Sequence, residues 1–449
     1  MNSSKPVAPI WKTKYVNQVQ SLYTGKARLT VNARSFDLEA HAELHWLPSP
    51  RVTIWANGPF DLFQYWQQSG MTIELVEQWP GIQIGVFATR CILRDEGTQL
   101  DFVVSRWPDE LLTSVASSAV FHIANLRTYN GGSLKNDSRL WRERGSLVCP
   151  DWTIVLDEIC PDDVPDALGH SGGFALTHVG YFERTDGTSF SGIDTGDLMS
   201  AVGQFLSFCN GRRCGPILCH GLDSTQSPNA WTDWRIKRTW PIQTVRSWWN
   251  EDVGIEPFSC FARFYELSHD EIWSETLRVA VHWYLEANRA GALTEAGIVL
   301  AQLAFEGLAD TLIVEDKGLL SSEGLQKLET HDKLRLLLRT CGIPTEVTPS
   351  QPRLSKIAKS LGWDAPDAIT EVRNCHVHPT KKNRERLIKM GVTPDVKLDV
   401  SLLSLYYLEL MILFVLDSAG LVLRLVRPSS RPPFSKDSEK LLKVLSEFW

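Results

Sequence analysis

Apolar and polar residues alternate in short runs from Ala27 to about Val104. Leu29-Thr30-Val31, Leu44-His45-Trp46, Val52 to Trp55, Ile82 to Val86 and Leu100 to Val104 carry this pattern, with Pro, Gly and Asn in the gaps. A period of two sends every second side chain to one face of a sheet, so these runs predict half-buried strands. Asp109 to Ser118 predicts a short helix. The strand pattern resumes at Phe121 to Leu126, Trp152 to Leu156, Ala175 to Glu183 and Pro216 to Cys219. Between the last two, Leu198, Val202, Phe205 and Leu206 fall at helical spacing, and Asn210-Gly211 ends that helix.

From Glu271 onward the period changes to that of a helix. Ile272, Leu277, Val281, Tyr284 and Leu285 make Glu271 to Asn288 amphipathic. Leu293 to Ile313 is apolar around most of its circumference and predicts a central helix of a bundle. Further helices are predicted at Leu325 to Cys341, Pro352 to Leu361, Asp364 to Val377, Val396 to Leu423 and Asp437 to Phe448, the last behind the linker Arg427 to Pro433. The fold class is therefore α+β, a β-rich N-terminal part followed by an all-α C-terminal bundle. At 449 residues the chain exceeds the usual size of one core. We divide it into a β-rich domain over 1–224, a Trp-rich connector over 225–270 and a helical domain over 271–449.

Apolar residues make up 43% of the chain and charged residues 22%, an ordinary globular balance. The net charge of −7 argues against a surface that is basic throughout, but leaves room for a local basic groove. Met1 to Tyr15 has no apolar run of the secretory kind. Leu402 to Leu423 is interrupted by Glu409, Asp417 and Gly420, so a buried core helix is expected there and not a membrane span. The nine cysteines form no CxxC pair, which fits reduced thiols and a cytoplasmic location. Cys209, Cys214, Cys219 and His220 cluster at spacings unlike those of zinc knuckles, and no metal or other cofactor is expected.

Thr225 to Asn250 holds Trp231, Trp234, Trp240, Trp248 and Trp249 with Arg235, Lys237, Arg238 and Arg246. Tryptophan beside arginine can stack nucleobases, but no base-platform motif accompanies the cluster and a packing role is favoured. Gly169-His170-Ser171-Gly172-Gly173 fits the pattern of a nucleophile elbow, which needs a strand before it and a helix after it. Here a turn-rich stretch precedes and a strand follows, so a flexible loop is the better reading. His122, on an alternating strand, reads as a core or interface histidine.

Arg373-Asn374-Cys375-His376-Val377-His378-Pro379 is the segment richest in chemistry. Pro379 disfavours the helical conformation at His378, which marks the end of the helix. Five residues span about 500° of rotation, so Arg373 and His378 share no helical face, but a break before the proline lets His378 swing back. A permanent cation and an imidazole suffice to cleave RNA without metal: the imidazole moves a proton and the guanidinium holds the phosphate. Asn374 can orient either group. Lys381, Lys382, Arg384, Arg386 and Lys389, opposed by Glu385 alone, suit a phosphate backbone, while a charge run of this kind also describes a solvated loop. The competing structural reading pairs Arg373 with a buried carboxylate, for which Glu306 in its apolar helix is the candidate, and gives His378 a helix-capping role.

The motif resembles the Arg-Asn-x-x-x-His signature of the HEPN superfamily. The likeness extends to Trp283 to Asn288, Leu300 to Ala309 and Asp332 to Leu337, which resemble the leading helices of ApeA-like HEPN proteins of phage defence, and it covers Glu271 to Arg424. The resemblance implies a helical bundle that dimerises so that two motifs face each other in one metal-independent ribonuclease site. Arg373 and His378 would then be catalytic, Asn374 and Glu306 supporting, and His376 an extra imidazole outside the family's fixed positions. The implied function is an antiphage or toxin-like endoribonuclease that cuts RNA, tRNA among the candidates, and causes abortive infection. The β-rich domain would sense an unidentified trigger, and no membrane partner is expected. Some HEPN members bind nucleotides or proteins without cutting RNA, and a non-catalytic binding module is the alternative.

Overall fold

The computed structural model describes residues 5–136, 139–161, 163–242, 247–249, 254–289, 294–347 and 351–418. The linker Arg427 to Pro433, the helix expected at Asp437 to Phe448, Arg246 and the end of the helix expected to reach Leu423 lie outside the described residues. The architecture is α+β, with a β-rich region followed by a helical one. The chain divides into two compact units: Met1–Leu206 with Arg213–Thr244, and Ser207–Arg212 with Val245–Trp449.

In the first unit, six strands close into a barrel: β1 (Gln20–Val31), β2 (Arg34–His45), β3 (Arg51–Gly58), β4 (Met71–Leu75), β5 (Ile84–Arg94) and β6 (Gly97–Arg106), in the order β1-β2-β3-β6-β5-β4. Alternation along each strand fills the lumen. Phe36, Leu38, Ala40, Ala42 and Leu44 of β2 point inward, as do Val52, Ile54 and Ala56 of β3. The small alanines suit a lumen of this size, which must be filled by side chains. Asn32 and Ala33, both at positive φ, form the two-residue turn between β1 and β2.

The later strands are β7 (Val115–Ala116), β8 (Ser118–Ala124), β9 (Gly132–Asn136), β10 (Arg139–Val148), β11 (Trp152–Glu158), β12 (Leu176–Arg184), β13 (Phe190–Ser191), β14 (Pro216–Leu222) and β15 (Trp231–Asp233). Seven of them make an antiparallel sheet in the order β15-β14-β8-β12-β11-β10-β9. Strands β8 and β14 are buried at every position, so their sequences read as continuous apolar runs with buried polar exceptions. Gly180 of β12 is required sterically, since a Cβ there would lie 2.1 Å from the Phe121 ring.

Two expectations for this unit are corrected. Asp109 to Ser118 is not one helix: a single 3-10 turn at Asp109–Leu112 gives way to β7, because Pro108 starts a turn that the β-branched residues beyond do not continue. The glycine-rich segment is not a flexible loop up to Ser171, because α1 (Asp163–Ser171) precedes it and Ser171 Oγ donates to the carbonyl of Ala167. Helix precedes serine and strand follows, the reverse of a nucleophile elbow. Trp231, Trp234 and Trp240 are buried here, and Trp234 packs on Trp79 at 4.7 Å between ring centroids. None of the three offers an open face to a base.

His122, His178 and His220 are all buried in the sheet. His122 Nε2 accepts from the backbone N–H of Trp11 at 3.2 Å, and Trp234 Nε1 donates to His220 Nε2 at 3.1 Å. Burial lowers His122 to about 3, with help from neighbouring His220, and by itself lowers His178 to about 3 and His220 to about 4.

The second unit contains α3 (Phe261–Leu267), α4 (Ser274–Arg289), α5 (Thr294–Ala309), α6 (Ser322–Gln326), α7 (Thr330–Thr340), α8 (Pro352–Leu361), α9 (Ala365–Val377), α10 (Lys381–Lys389) and α11 (Pro394–Val415), while α2 (Gly196–Asn210) belongs to the preceding stretch of chain. Helix α5 packs against α4, α7, α9 and α11. It is central, yet it leaves Leu303, Glu306 and Gly307 exposed. Helix α11 is the more completely buried of the two. Thr294–Asp316 and Pro394–Val415 are long and apolar enough to cross a membrane, but 61% and 83% of their apolar windows are buried inside the protein. They behave as core helices. Glu409, the charge that interrupts α11, is buried and accepts a hydrogen bond from the Tyr284 hydroxyl at 3.1 Å. Trp248 and Trp249 are buried in this unit, Trp249 donating to the carbonyl of Gly254.

The three buried histidines set an acid limit on stability. Their folded values lie below the unfolded value of 6.5, so the unfolded chain binds more protons below that pH. Their contribution is complete above about pH 6.5 and declines as pH falls toward 4, by about 1.4 kcal/mol per pH unit for each histidine. Urea unfolding followed by tryptophan fluorescence should show this slope. His178→Phe, which keeps the stack on Tyr129, should make it shallower.

Candidate functional site

Helix α9 carries the motif, and its start is fixed locally. Asp364 caps it, accepting from the Asp367 N–H at 3.0 Å while Asp367 accepts from the Asp364 N–H at 3.2 Å. This reciprocal box satisfies two backbone donors that a helix start leaves unpaired. Arg335 of α7 then ties both carboxylates together, reaching Asp364 at 2.7 Å and Asp367 at 2.9 Å, and it also bonds Asp332. Ala368, Ile369, Val372 and Cys375 face inward and seat α9 on α5, α7 and α11.

That seating decides where the motif's polar residues go. Arg373 has a side-chain exposure of 19%. Its Nη1 donates to Asn374 Oδ1 at 3.0 Å, and Nη2 lies 4.0 Å from Glu306 Oε1, too long for a hydrogen bond. Its Nε has no hydrogen-bond partner among the described residues. Glu306 is not the buried acid expected from its apolar helix: its side chain is 45% exposed, because α5 turns that strip away from the core. Glu306 also accepts from Gln302 Nε2 at 3.3 Å. The guanidinium is therefore guided by its acid without being consumed by it.

Where α9 ends, the chain turns sharply. His378 is the C-cap at φ −116° and ψ 76°, its N–H bonding the carbonyl of Asn374. Its carbonyl accepts from Asn383 Nδ2 at 2.6 Å. The imidazole is exposed and makes no hydrogen bond among the described residues, so nothing here ties it to Arg373. The basic run is not a loop. Thr380 Oγ1 caps it as α10, accepting from the Asn383 N–H at 3.2 Å, a start signal visible as Thr380 before the cationic stretch.

The cations of α10 are unequal. Arg386 pairs with Glu371 at 2.6 Å and Lys381 with Glu385 at 3.8 Å, while Arg384 donates to the carbonyl of Pro379 at 2.7 Å. Lys382 and Lys389 have no ion pair among the described residues.

His376 is half-buried one helical step beyond Arg373. Burial lowers its pKa, Lys397 lowers it further, and Glu295 opposes both. Glu295 and Lys397 are themselves paired at 2.8 Å. Sequence reasoning missed Glu295, Gln302 and Lys397. The first two were visible with Glu306 as a polar stripe at steps of seven and four along an apolar helix. Lys397 left no such signal.

Elsewhere, no three His, Cys, Asp or Glu side chains among the described residues are grouped so that they could hold a metal ion. Burial pushes the Cys219 thiol well up, and both ring nitrogens of His220 are engaged, by Thr232 and Trp234.

A helical unit with a polar seam on one side of α9 is thus the class of structure that carries the motif. Residues 270–422 match the family model described as the YopA C-terminal domain, and residues 113–245 match that of the YopA central domain. Over 415 residues the chain is 24% identical to the SPbeta prophage-derived uncharacterized protein YopA of Bacillus subtilis (strain 168), covering 90% of this chain and 91% of that protein. No solved structure matches the chain.

Removing the start of α9 should be costly. Asp364→Ala deletes the cap and half of the Arg335 clamp, and chemical denaturation should show a loss of about 1–2 kcal/mol.

Proposed function

We propose that the chain is a metal-independent endoribonuclease of the HEPN type, acting in the cytosol in antiphage defence or toxin-like abortive infection. The observation that carries the reading is the state of Arg373. It is largely buried, held at 4.0 Å from a half-exposed glutamate, and its Nε is a donor unused among the described residues. A structural arginine would be locked into its acid. The exposed imidazole of His378 at the end of α9 and the cations of α10 follow it in the chain, residue types suited to hold a phosphodiester and move its protons.

In this reading Arg373 holds the phosphate, Asn374 aligns the guanidinium, His378 gives a proton to the leaving oxygen, and Lys382 and Lys389 guide the RNA backbone, tRNA among the candidate substrates. Arg384 and Arg386, engaged with Pro379 and Glu371, shape the surface. The exposed strip Leu303, Glu306 and Gly307 of α5, with Val377 of α9, offers a face on which a second copy brings its own motif. The β-rich unit is the place for a trigger. A prophage-derived relative fits a protein acting between phage and host.

One observation favours a second reading, a non-catalytic phosphate-binding module: no hydrogen bond joins Arg373 and His378 among the described residues. Assays on tRNA and total RNA separate the two. Arg373→Ala and His378→Ala should each lower cleavage at least ~100-fold with folding intact. EDTA should have no effect, and strong inhibition by the chelator would defeat the metal-independent mechanism. Leu303→Asp should yield an inactive monomer by light scattering; an active monomer would remove the composite site.

A further inference from the structure

Thr370, Arg373 and His376 follow one another at steps of three along α9. Each carries a buried side-chain atom without a hydrogen-bond partner among the described residues: Oγ1, Nε and Nε2. Buried polar atoms are nearly always paired, so a row of unpaired ones on a single helix needs explanation. Residues three apart on a helix are surface neighbours, whereas residues five apart are not. The imidazole on the Arg373 side of α9 is therefore that of His376. His378 lies where the chain has already left the helix.

The surroundings of His376 are specific. Lys397 approaches from α11 and is held by Glu295 of α5 at 2.8 Å, and Arg373 with its companion Glu306 lies one step back along α9. One nitrogen of the ring, Nε2, is buried without a hydrogen-bond partner among the described residues, and the residue as a whole is half-buried. Burial and the Lys397 cation favour the neutral ring. A neutral imidazole beside a guanidinium is the pair needed to accept a proton from a hydroxyl while its phosphate is held.

We propose that His376 is a second imidazole of the site, sharing with Arg373 the phosphate-binding face and serving as the proton acceptor. This rests on Arg373 being the cation that holds the phosphate. In RNA cleavage His376 takes the 2′-hydroxyl proton as the O2′–P bond forms. The P–O5′ bond breaks, and O5′ receives a proton from the imidazolium of His378.

The test combines two readouts on the full chain. With histidine labelled at ring carbon ε1, inorganic phosphate should raise the NMR titration midpoint of His376, and Arg373→Ala should abolish that shift. In cleavage, His376→Gln should lower the rate about 100-fold and remove the decline toward acid pH. Lys397→Met should move that decline to higher pH, since losing the cation makes the ring easier to protonate. A His376 resonance indifferent to phosphate, with His376→Gln cleaving at the wild-type rate, overturns the proposal and leaves the ribonuclease reading standing. A His376 that answers phosphate through Arg373 in a protein that cuts no RNA keeps the phosphate face and refutes the ribonuclease reading.

Discussion

The seating of α9 against α5, α7 and α11 is the constraint on which everything else at the site depends. It is produced by ordinary apolar contacts from Ala368, Ile369, Val372 and Cys375, and by the Arg335 clamp on Asp364 and Asp367. With the helix fixed in this way, Arg373 keeps a side-chain exposure of 19% and stops 4.0 Å short of Glu306. A guanidinium in that position retains donors for a ligand, and desolvation strengthens any contact it makes.

Pro379 is the second constraint. It ends α9 at His378 and lets Thr380 start α10 directly, so cationic side chains follow the motif without an intervening loop. The acids of the neighbourhood then sort these cations. Glu371 takes Arg386 and Glu295 takes Lys397, leaving a seam in which the balance of charge turns on a few side chains.

Much of this was legible in the sequence. Alternation in Val52 to Trp55 and helical spacing in Glu271 to Asn288 reflect which face is buried, and burial is what selects apolar residues. The end of α9 was readable from Pro379 and its start from Asp364. The barrel was not, because closure depends on which strands pair, and a strand's own pattern does not name its neighbour. Glu306 misled for a related reason: an apolar helix with one exposed strip differs from a fully buried one by only a few residues. Lys397 could not be found at all, since its partners lie on other helices. The α10 helix was obscured by its charge, although Thr380 signalled it.

The central claim is that an arginine left with unused donors holds a phosphodiester for attack by its own 2′-hydroxyl. Analysis of the ends of the RNA products tests this most directly. The account predicts 2′,3′-cyclic phosphate and 5′-hydroxyl ends, formed in EDTA, with no cutting where the scissile nucleotide is 2′-deoxy. Cleavage of the 2′-deoxy substrate, or products bearing 5′-phosphate, would contradict it.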